Sequence, residues 1–274
     1  MPVSCPVQLR SLSEEEFHEL DYAVMRHVFA CHNDLGRFCD EEIYQSDIAL
    51  RLRSAGFNGL GTEVPFTVSF KDFSKTYYLD LAVESSVLYE LKAAGALVGE
   101  HEAQLLNYLF LLGLHHGKLL NFRTASVQRR FVSTRLTPEQ RRKFTVDDSR
   151  WQSVTSACER LLQVLLELMR DWGMYLQLEL YQEALTWFLG GEATVVRRVG
   201  LAREGSHLGN QRVLVHGPEV AFKLSAVTVN QSQIEAHLRR FLSLTQLRAL
   251  QWINFNHGVI ELVTLRNGSE CLAK

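Results

Sequence analysis

The chain has 274 residues, of which 46% are hydrophobic and 22% are charged, and its formal net charge is −2. This composition is typical of a globular protein, and the length allows one large domain or two smaller ones. The near-neutral charge excludes the strongly basic balance of many nucleic-acid-binding proteins, so any such binding has to be local.

The cysteines and the apolar segments indicate the cellular setting. The sequence has an odd number of cysteines without CxxC spacing, namely Cys5, Cys31, Cys39, Cys158 and Cys271. This pattern predicts neither a disulfide framework nor a zinc site. The first residues lack the apolar stretch of a secretory signal, and residues 105–114, the most apolar run, are too short to span a bilayer. We therefore expect a cytoplasmic protein that has no membrane partner.

Hydrophobic periodicity predicts alternating helices and strands in the first half. Ser13, followed by three glutamates, predicts a helix start, and Gly36 predicts its end. The further elements are a helix at about 40–55, strands at 62–70, 78–83 and 87–93, a helix at 99–113, and strands at 115–122 and 126–134. The resulting order, α-α-β-β-β-α-β-β, predicts an α/β fold with a mixed sheet flanked by helices.

The second half reads as a copy of the first. Residues 135–149 are polar and contain a proline, which favours a linker between domains 1–134 and 150–274. Beyond it, residues 222–255 align without a gap on residues 89–122, with about ten identities in roughly thirty-four positions. Chance similarity between apolar helices is the alternative explanation. Because residues 34–45 also match residues 171–182 in the same order, we favour a tandem duplication.

The two copies differ in their polar residues. Five polar side chains of the first half, Glu41, Asp80, Glu90, Lys92 and Gln104, correspond to Leu178, Val213, Lys223, Ser225 and His237 in the second. The apolar positions persist while this set disappears. Solvated strand residues would have no reason to change together, so the first half is predicted to hold a site and the second to have lost it.

The hairpin at residues 77–94 carries residue types that suit metal-assisted chemistry. Glu90 and Lys92 share one face of a strand, and Asp80 on the paired strand can lie on that face too. Neighbouring carboxylates repel each other unless a divalent cation lies between them. Mg²⁺ suits such a site, with the main-chain carbonyl of Leu91 as a further ligand. The metal would activate a water and stabilise charge on a phosphate, while Lys92 orients the water or neutralises the oxyanion.

The spacing Asp80-(x)9-Glu90-x-Lys92 on a hairpin, followed by a helix that carries Gln104, resembles the PD-(D/E)XK nuclease superfamily. The first half is more narrowly similar to small bacterial proteins named for a GxxExxxY motif. The matching stretches are residues 19–36, 41–57, 77–84, 89–93 and 101–122. The resemblance implies a restriction-endonuclease-like core and hydrolysis of phosphodiester bonds with Mg²⁺ or Mn²⁺, DNA being the expected substrate.

The resemblance also implies residue roles. Glu41, Asp80 and Glu90 would bind the metal, Lys92 would be the catalytic lysine, and Gln104 would position the water or the substrate. Tyr44 and Tyr108 are candidates for substrate binding or for supporting the site from the core edge. The family expects a small residue at the position of Phe38 and an arginine near Tyr77–Leu79, and both departures concern substrate contacts.

Several alternatives remain open at this stage. The second copy would contact nucleic acid through Lys223, Arg239 and Arg240, or would only pack against the first. The protein would be a monomer with an internal pseudo-dimer, or a homodimer. The competing functions are a non-catalytic nucleic-acid-binding or regulatory protein with a vestigial site, and a small-molecule hydrolase that uses the same metal site.

Overall fold

A computed structural model describes residues 2–268 of the chain, so Cys271 lies outside the described residues. The chain divides into two compact units, Met1–Pro138 and Glu139–Lys274. Each unit contains a six-stranded mixed sheet with helices, which confirms the predicted α/β fold. No helix within residues 2–268 has the length and apolarity needed to cross a bilayer.

The first unit follows the predicted order, preceded by one short strand. Its elements are β1 (Val3–Ser4), α1 (Glu14–Leu35), α2 (Glu41–Ser54), β2 (Gly61–Phe70), β3 (Phe73–Val83), β4 (Val87–Lys92), α3 (Gly99–Leu112), β5 (His116–Asn121) and β6 (Gln128–Ser133). The sheet order is β1-β2-β3-β4-β5-β6, and only β4 and β5 are parallel neighbours. The helix α3 connects these two strands, as a parallel crossover requires.

The helices α1 and α2 cover one face of the first sheet. The predicted cap is present, because Ser13 and Glu16 form a reciprocal capping box at the start of α1. Tyr89 and Leu91 of β4 belong to the same buried cluster as Val28 of α1 and Ile48 of α2. Since neighbouring strand residues face opposite ways, Glu90 and Lys92 lie on the other face of β4.

The second unit repeats most of this architecture. Its elements are α4 (Pro138–Arg141), β7 (Thr145–Arg150), α5 (Ser156–Trp172), α6 (Leu178–Phe188), α7 (Glu192–Val195), β8 (Val196–Arg203), β9 (Ser206–Val215), β10 (Val220–Ser225), α8 (Gln231–Ser243), β11 (Ala249–Asn256) and β12 (Val259–Arg266). Most of the segment predicted as a linker, residues 135–149, therefore forms α4 and β7. The polar strand β7 pairs with β12 at the edge of the second sheet, where exposed side chains are compatible with strand structure.

Five consecutive strands have the same neighbours and directions in both sheets. The order β2-β3-β4-β5-β6 of the first sheet corresponds to β8-β9-β10-β11-β12 of the second, and β10 and β11 are again parallel. Lys92 lies opposite Asn121 in the first sheet, and Ser225 lies opposite Asn254 in the second. The sheets differ at the sixth strand, because β1 adds beside β2 whereas β7 adds beside β12.

The same side-chain to backbone hydrogen bonds hold equivalent loops. Asn121 Oδ1 accepts from the Ala94 amide at 3.0 Å, and its Nδ2 donates to the Ala94 carbonyl at 2.8 Å. Asn254 makes the same two bonds to Val227, both at 2.8 Å. Correspondence in topology, strand register and individual hydrogen bonds supports the duplication inferred from the sequence.

Candidate active site

The predicted acidic residues of the first unit surround the ammonium group of Lys92. Lys92 Nζ lies 2.6 Å from Glu90 Oε1, 3.8 Å from Glu41 Oε1 and 3.9 Å from Asp80 Oδ2. We call Glu41, Asp80, Glu90 and Lys92 the carboxylate cluster. The structure thus brings together one residue from α2, one from β3 and two from β4, although α2 lies far from the hairpin in the sequence.

The cluster forms where β3 and β4 separate. The two strands pair from Val83 and Val87 to Leu81 and Tyr89, and the pairing ends there. Just beyond this point, Asp80 Oδ2 accepts a hydrogen bond from the amide of Leu91 at 2.7 Å. The carboxylate of Asp80 therefore takes the place of a carbonyl of β3 as the acceptor for the Leu91 amide. This hydrogen bond holds Asp80 beside Glu90. Leu91, whose carbonyl is the predicted metal ligand, thereby also positions Asp80 through its N–H group.

Two residues that the sequence analysis missed support Asp80. Gln45 of α2 donates from Nε2 to the Asp80 carbonyl at 2.6 Å and to Glu63 Oε1 at 2.7 Å. Glu63 lies between Thr62 and Val64, which pair with Leu81 and Leu79 on either side of Asp80, and it has a φ of 49°. This left-handed conformation is rare for a residue with a side chain and is associated with functional positions. Retention of glutamine at both Gln45 and Gln182 was the available sequence signal.

Burial makes the negative charge of the cluster costly. Glu90 is only 2% exposed, and its burial together with repulsion from Asp80 raises its pKa to about 8. Burial also raises the pKa of Asp80 to about 6, with further contributions from Glu41 and Glu63. For Lys92, burial opposes the charged form, but attraction to Glu90, Asp80 and Glu41 outweighs it and raises the pKa. A single ammonium thus faces more negative charge than it can balance.

The two tyrosines named from the sequence occupy different positions. Tyr108 OH accepts from Gln104 Nε2 at 3.0 Å, and burial raises the pKa of Tyr108 to about 12, with Glu90 and Asp80 adding to the shift. Tyr108 is therefore within electrostatic reach of Glu90 and Asp80, and Gln104 is hydrogen-bonded to Tyr108. Tyr44 is completely buried and stacks on Phe122 with ring centroids 4.4 Å apart. Because it has no exposed surface, direct substrate binding by Tyr44 is corrected to support of the site.

The donor set fits a hard divalent cation in its chemistry. Asp80, Glu90 and Glu41 offer carboxylate oxygens, the ligand type that Mg²⁺ and Mn²⁺ prefer. In the arrangement described, Lys92 contacts all three acids, and no group of three or more His, Cys, Asp or Glu side chains within residues 2–268 is spaced to hold a metal ion. A bound cation would have to share the acids with Lys92, and it would relieve the repulsion that raises the pKa values of Asp80 and Glu90.

Two of the equivalent positions of the second unit carry the opposite charge. Arg197 lies opposite Val213 in the register of β8 and β9, at the place that corresponds to Glu63 in β2. Lys223 takes the position of Glu90 and is exposed. Arg239 and Arg240 lie on α8, where Arg239 forms an ion pair with Glu235 at 2.8 Å. Arg239 is therefore already neutralised in part, which weakens its predicted role as a phosphate contact.

Comparison with known families adds an independent finding. Residues 18–132 match the family model described as the PD-(D/E)XK nuclease superfamily. The matched segment contains every residue of the carboxylate cluster together with Gln45, Glu63 and Gln104. Members of this superfamily are generally nucleases that depend on divalent metals. Neither the curated proteins nor the solved structures include a significant match to the chain.

Proposed function

We propose that the protein is a Mg²⁺-dependent nuclease that hydrolyses phosphodiester bonds of DNA, on the premise that residues 18–132 match the family model of the PD-(D/E)XK nuclease superfamily. The observation that carries the proposal is the convergence of Glu41, Asp80 and Glu90 on Lys92 Nζ. Buried acids with raised pKa values beside a lysine are expensive to maintain in a purely structural role, and they are common at catalytic sites.

In this proposal Asp80 and Glu90 are the principal metal ligands, and Glu41 is a third. The metal would supply an activated water and neutralise charge on the scissile phosphate. The hydrogen bond from the Leu91 amide and the contact of Gln45 with the Asp80 backbone hold Asp80 in place. Lys92 keeps its proton and stabilises negative charge that develops on the phosphate oxygens. Gln104, oriented by Tyr108, is available to position the water or the substrate.

We assign the second unit no catalytic role of its own. Leu178 and Val213 replace two of the carboxylates, and Lys223 replaces the third with a cation. This set contains no anionic oxygen with which to hold a divalent metal. The unit would serve the enzyme by contacting nucleic acid or by stabilising the fold. We also propose a cytoplasmic location, which the odd number of cysteines without CxxC spacing favours.

A nuclease assay tests the proposal directly. Circular, linear and branched DNA are incubated with the full-length protein in Mg²⁺, Mn²⁺ or a chelator, and the cleavage rate is measured. We expect cleavage with metal, none with chelator, and a decrease of at least about 100-fold in Lys92→Ala. Lys143→Ala is the matched control, because Lys143 is exposed on the second unit.

The assay also separates the alternatives. DNA that is bound but never cleaved with either metal would favour a non-catalytic binding protein with a vestigial site. Cleavage that persists unchanged in Lys92→Ala would show that the carboxylate cluster is not the active centre.

A further inference from the structure

The second unit contains a cleft at the position that the carboxylate cluster occupies in the first. Its volume is about 350 Å³, and its lining includes Gln182, Arg212, Lys223, Leu238 and Phe241. We call it the cationic cleft. By the alignment of the two halves, Gln182 corresponds to Gln45, Lys223 to Glu90 and Phe241 to Tyr108. The cleft is therefore the catalytic position rebuilt with different side chains.

The replacement of an aspartate by Val213 explains why the cleft extends between β9 and β10. The strands β9 and β10 pair at Leu214 and Phe222 and then separate, as β3 and β4 do beyond Leu81 and Tyr89. In the first unit the Asp80 carboxylate bridges the separation by accepting from the Leu91 amide. Val213 at the equivalent position cannot form that hydrogen bond. The gap between the strands consequently remains part of the cleft, which Val213 lines.

The cleft combines a cationic side with an apolar wall. Lys223 and Arg212 are both exposed, and within residues 2–268 neither takes part in an ion pair. Leu238 and Phe241 of α8 supply apolar surface, while the amides of Gln182 and Gln211 supply hydrogen-bonding groups. The volume lies near the lower end of the roughly 300–1,000 Å³ typical of small-molecule sites. An anion that also carries a flat apolar group matches these properties.

The neighbouring surface limits the negative charge that such a ligand can carry. A second cleft of about 300 Å³ adjoins the first and shares Gln182, Arg212 and Leu214 with it. Its lining includes the acids Glu183 and Glu192. A ligand with a long chain of phosphates would meet these carboxylates, whereas a single phosphate would contact only the cations.

We propose that the cationic cleft binds one nucleoside monophosphate unit, with the phosphate on Lys223 and Arg212 and the base against Phe241 and Leu238. Arginine and lysine suit phosphate, and an aromatic side chain suits the face of any base. The unit could come from a free mononucleotide or from the 5′-phosphorylated end of a single strand. This binding requires neither the metal nor hydrolysis, so it goes beyond the proposed nuclease activity.

Binding is measured by calorimetry on the full-length protein in chelator, where the proposed nuclease reaction cannot proceed. The probes are dAMP, inorganic phosphate, and a short single strand of DNA with a 5′-phosphate or a 5′-hydroxyl. We expect dAMP or the phosphorylated strand to bind, and Lys223→Glu to weaken that binding by at least about tenfold. Lys143→Glu is the matched control, because Lys143 is an exposed lysine of the same unit that does not line the cleft.

The outcomes separate the ligand sources and can overturn the proposal. Equal affinity for dAMP and the phosphorylated strand identifies a free mononucleotide, and a preference for the strand identifies a 5′ end. The proposal fails if neither probe binds, or if inorganic phosphate binds as tightly as dAMP. It also fails if Lys143→Glu weakens binding as much as Lys223→Glu. Thermal unfolding of each variant establishes that the fold is retained, and a failure here leaves the nuclease assay unaffected.

Discussion

The two units share a framework but differ in the charged residues at the place where two strands of that framework separate. Tyr44 OH donates to the Gly36 carbonyl at 2.9 Å and accepts from the Cys39 amide at 3.1 Å. Tyr181 OH makes the equivalent bonds to Gly173 and Leu176, at 2.6 and 3.3 Å. In contrast, Glu90 of the first unit is Lys223 in the second. Residues that tie loops to the sheet are therefore retained, while those that bear charge at the strand separation are not.

Comparison of the two units therefore distinguishes the polar residues that the fold requires from those that the proposed chemistry requires. A buried asparagine or tyrosine that satisfies backbone groups is required by the fold, because unpaired buried polar groups are costly. The acids of the first unit are not needed for the fold, since the second unit forms the same five-stranded order without them. The proposed catalytic role explains why the first unit retains these acids although the pKa values of Asp80 and Glu90 are raised.

Among the variants that compare the two units, the largest effect is expected on the cleavage rate. It comes from replacing equivalent residues of α2 and α6 by alanine. Glu41→Ala removes one of the proposed metal ligands, so we expect the cleavage rate at subsaturating Mg²⁺ to fall by about tenfold to 100-fold. Leu178→Ala changes the corresponding residue of the second unit and should leave the rate within about twofold, since Leu178 does not line the cationic cleft. Steady-state cleavage over a Mg²⁺ series checks both, and equal losses would contradict the division of roles.

Protonation of the carboxylate cluster should give the metal-free protein a pH-dependent stability. The pKa of Glu90 is raised from 4.5 to about 8 and that of Asp80 from 3.8 to about 6. At pH values between the ordinary and the raised pKa of each group, the folded protein holds a proton that the unfolded chain has released. The free energy of unfolding should therefore fall as the pH rises through this window, and the loss should level off above about pH 8.

Thermal or urea unfolding between pH 5 and 8 in chelator measures this dependence. Glu90→Gln is neutral at every pH and should flatten the slope. Addition of Mg²⁺ should stabilise the wild-type protein more strongly at the alkaline end, because binding needs ionised carboxylates. A slope that Glu90→Gln leaves unchanged would place the titrating group elsewhere.

The sequence predicted correctly those features whose signal lies within a short segment of the chain. Hydrophobic alternation and turn residues predicted the hairpin of β3 and β4, and the Ser13 capping box predicted the start of α1. The approach of Glu41 to Lys92 could be inferred only from a family resemblance, because α2 and β4 are distant in the chain. The supporting contacts of Gln45 and Glu63 depend on tertiary packing and on an unusual φ, neither of which has a local sequence signature.

The missed strands have a similar explanation. β1 contains only two residues, and its backbone pairs with β2 at the sheet edge. β7 is exposed at all six positions, so it lacks the alternation by which strands are predicted. Both are edge strands, whose backbone hydrogen bonds do not require an apolar face.

A smaller effect is expected from removing the equivalent asparagines. Asn121→Ala and Asn254→Ala each leave two loop backbone groups without their partner, at Ala94 and at Val227. Both asparagines are fully buried, so each change should lower the free energy of unfolding by about 1–3 kcal/mol. Urea unfolding of the full chain measures both. A loss in one unit alone would show that the hydrogen bonds match in geometry but not in energetic role.

The smallest effect, and the finest test of the comparison, comes from the hydroxyl groups of Tyr44 and Tyr181. Tyr→Phe removes only the oxygen that links the end of one helix to the loop before the next, while the ring stays packed. We expect each variant to lose about 1 kcal/mol of unfolding free energy. Only Tyr44→Phe should also reduce cleavage, because the loop that it holds leads into Glu41 of the carboxylate cluster, whereas the loop held by Tyr181 leads into Leu178. Chemical unfolding and cleavage rates measured on both variants decide the matter. Equal losses of stability with unequal losses of activity are the expected result, and a cleavage defect of the same size in Tyr181→Phe would mean that the second unit contributes to the chemical step after all.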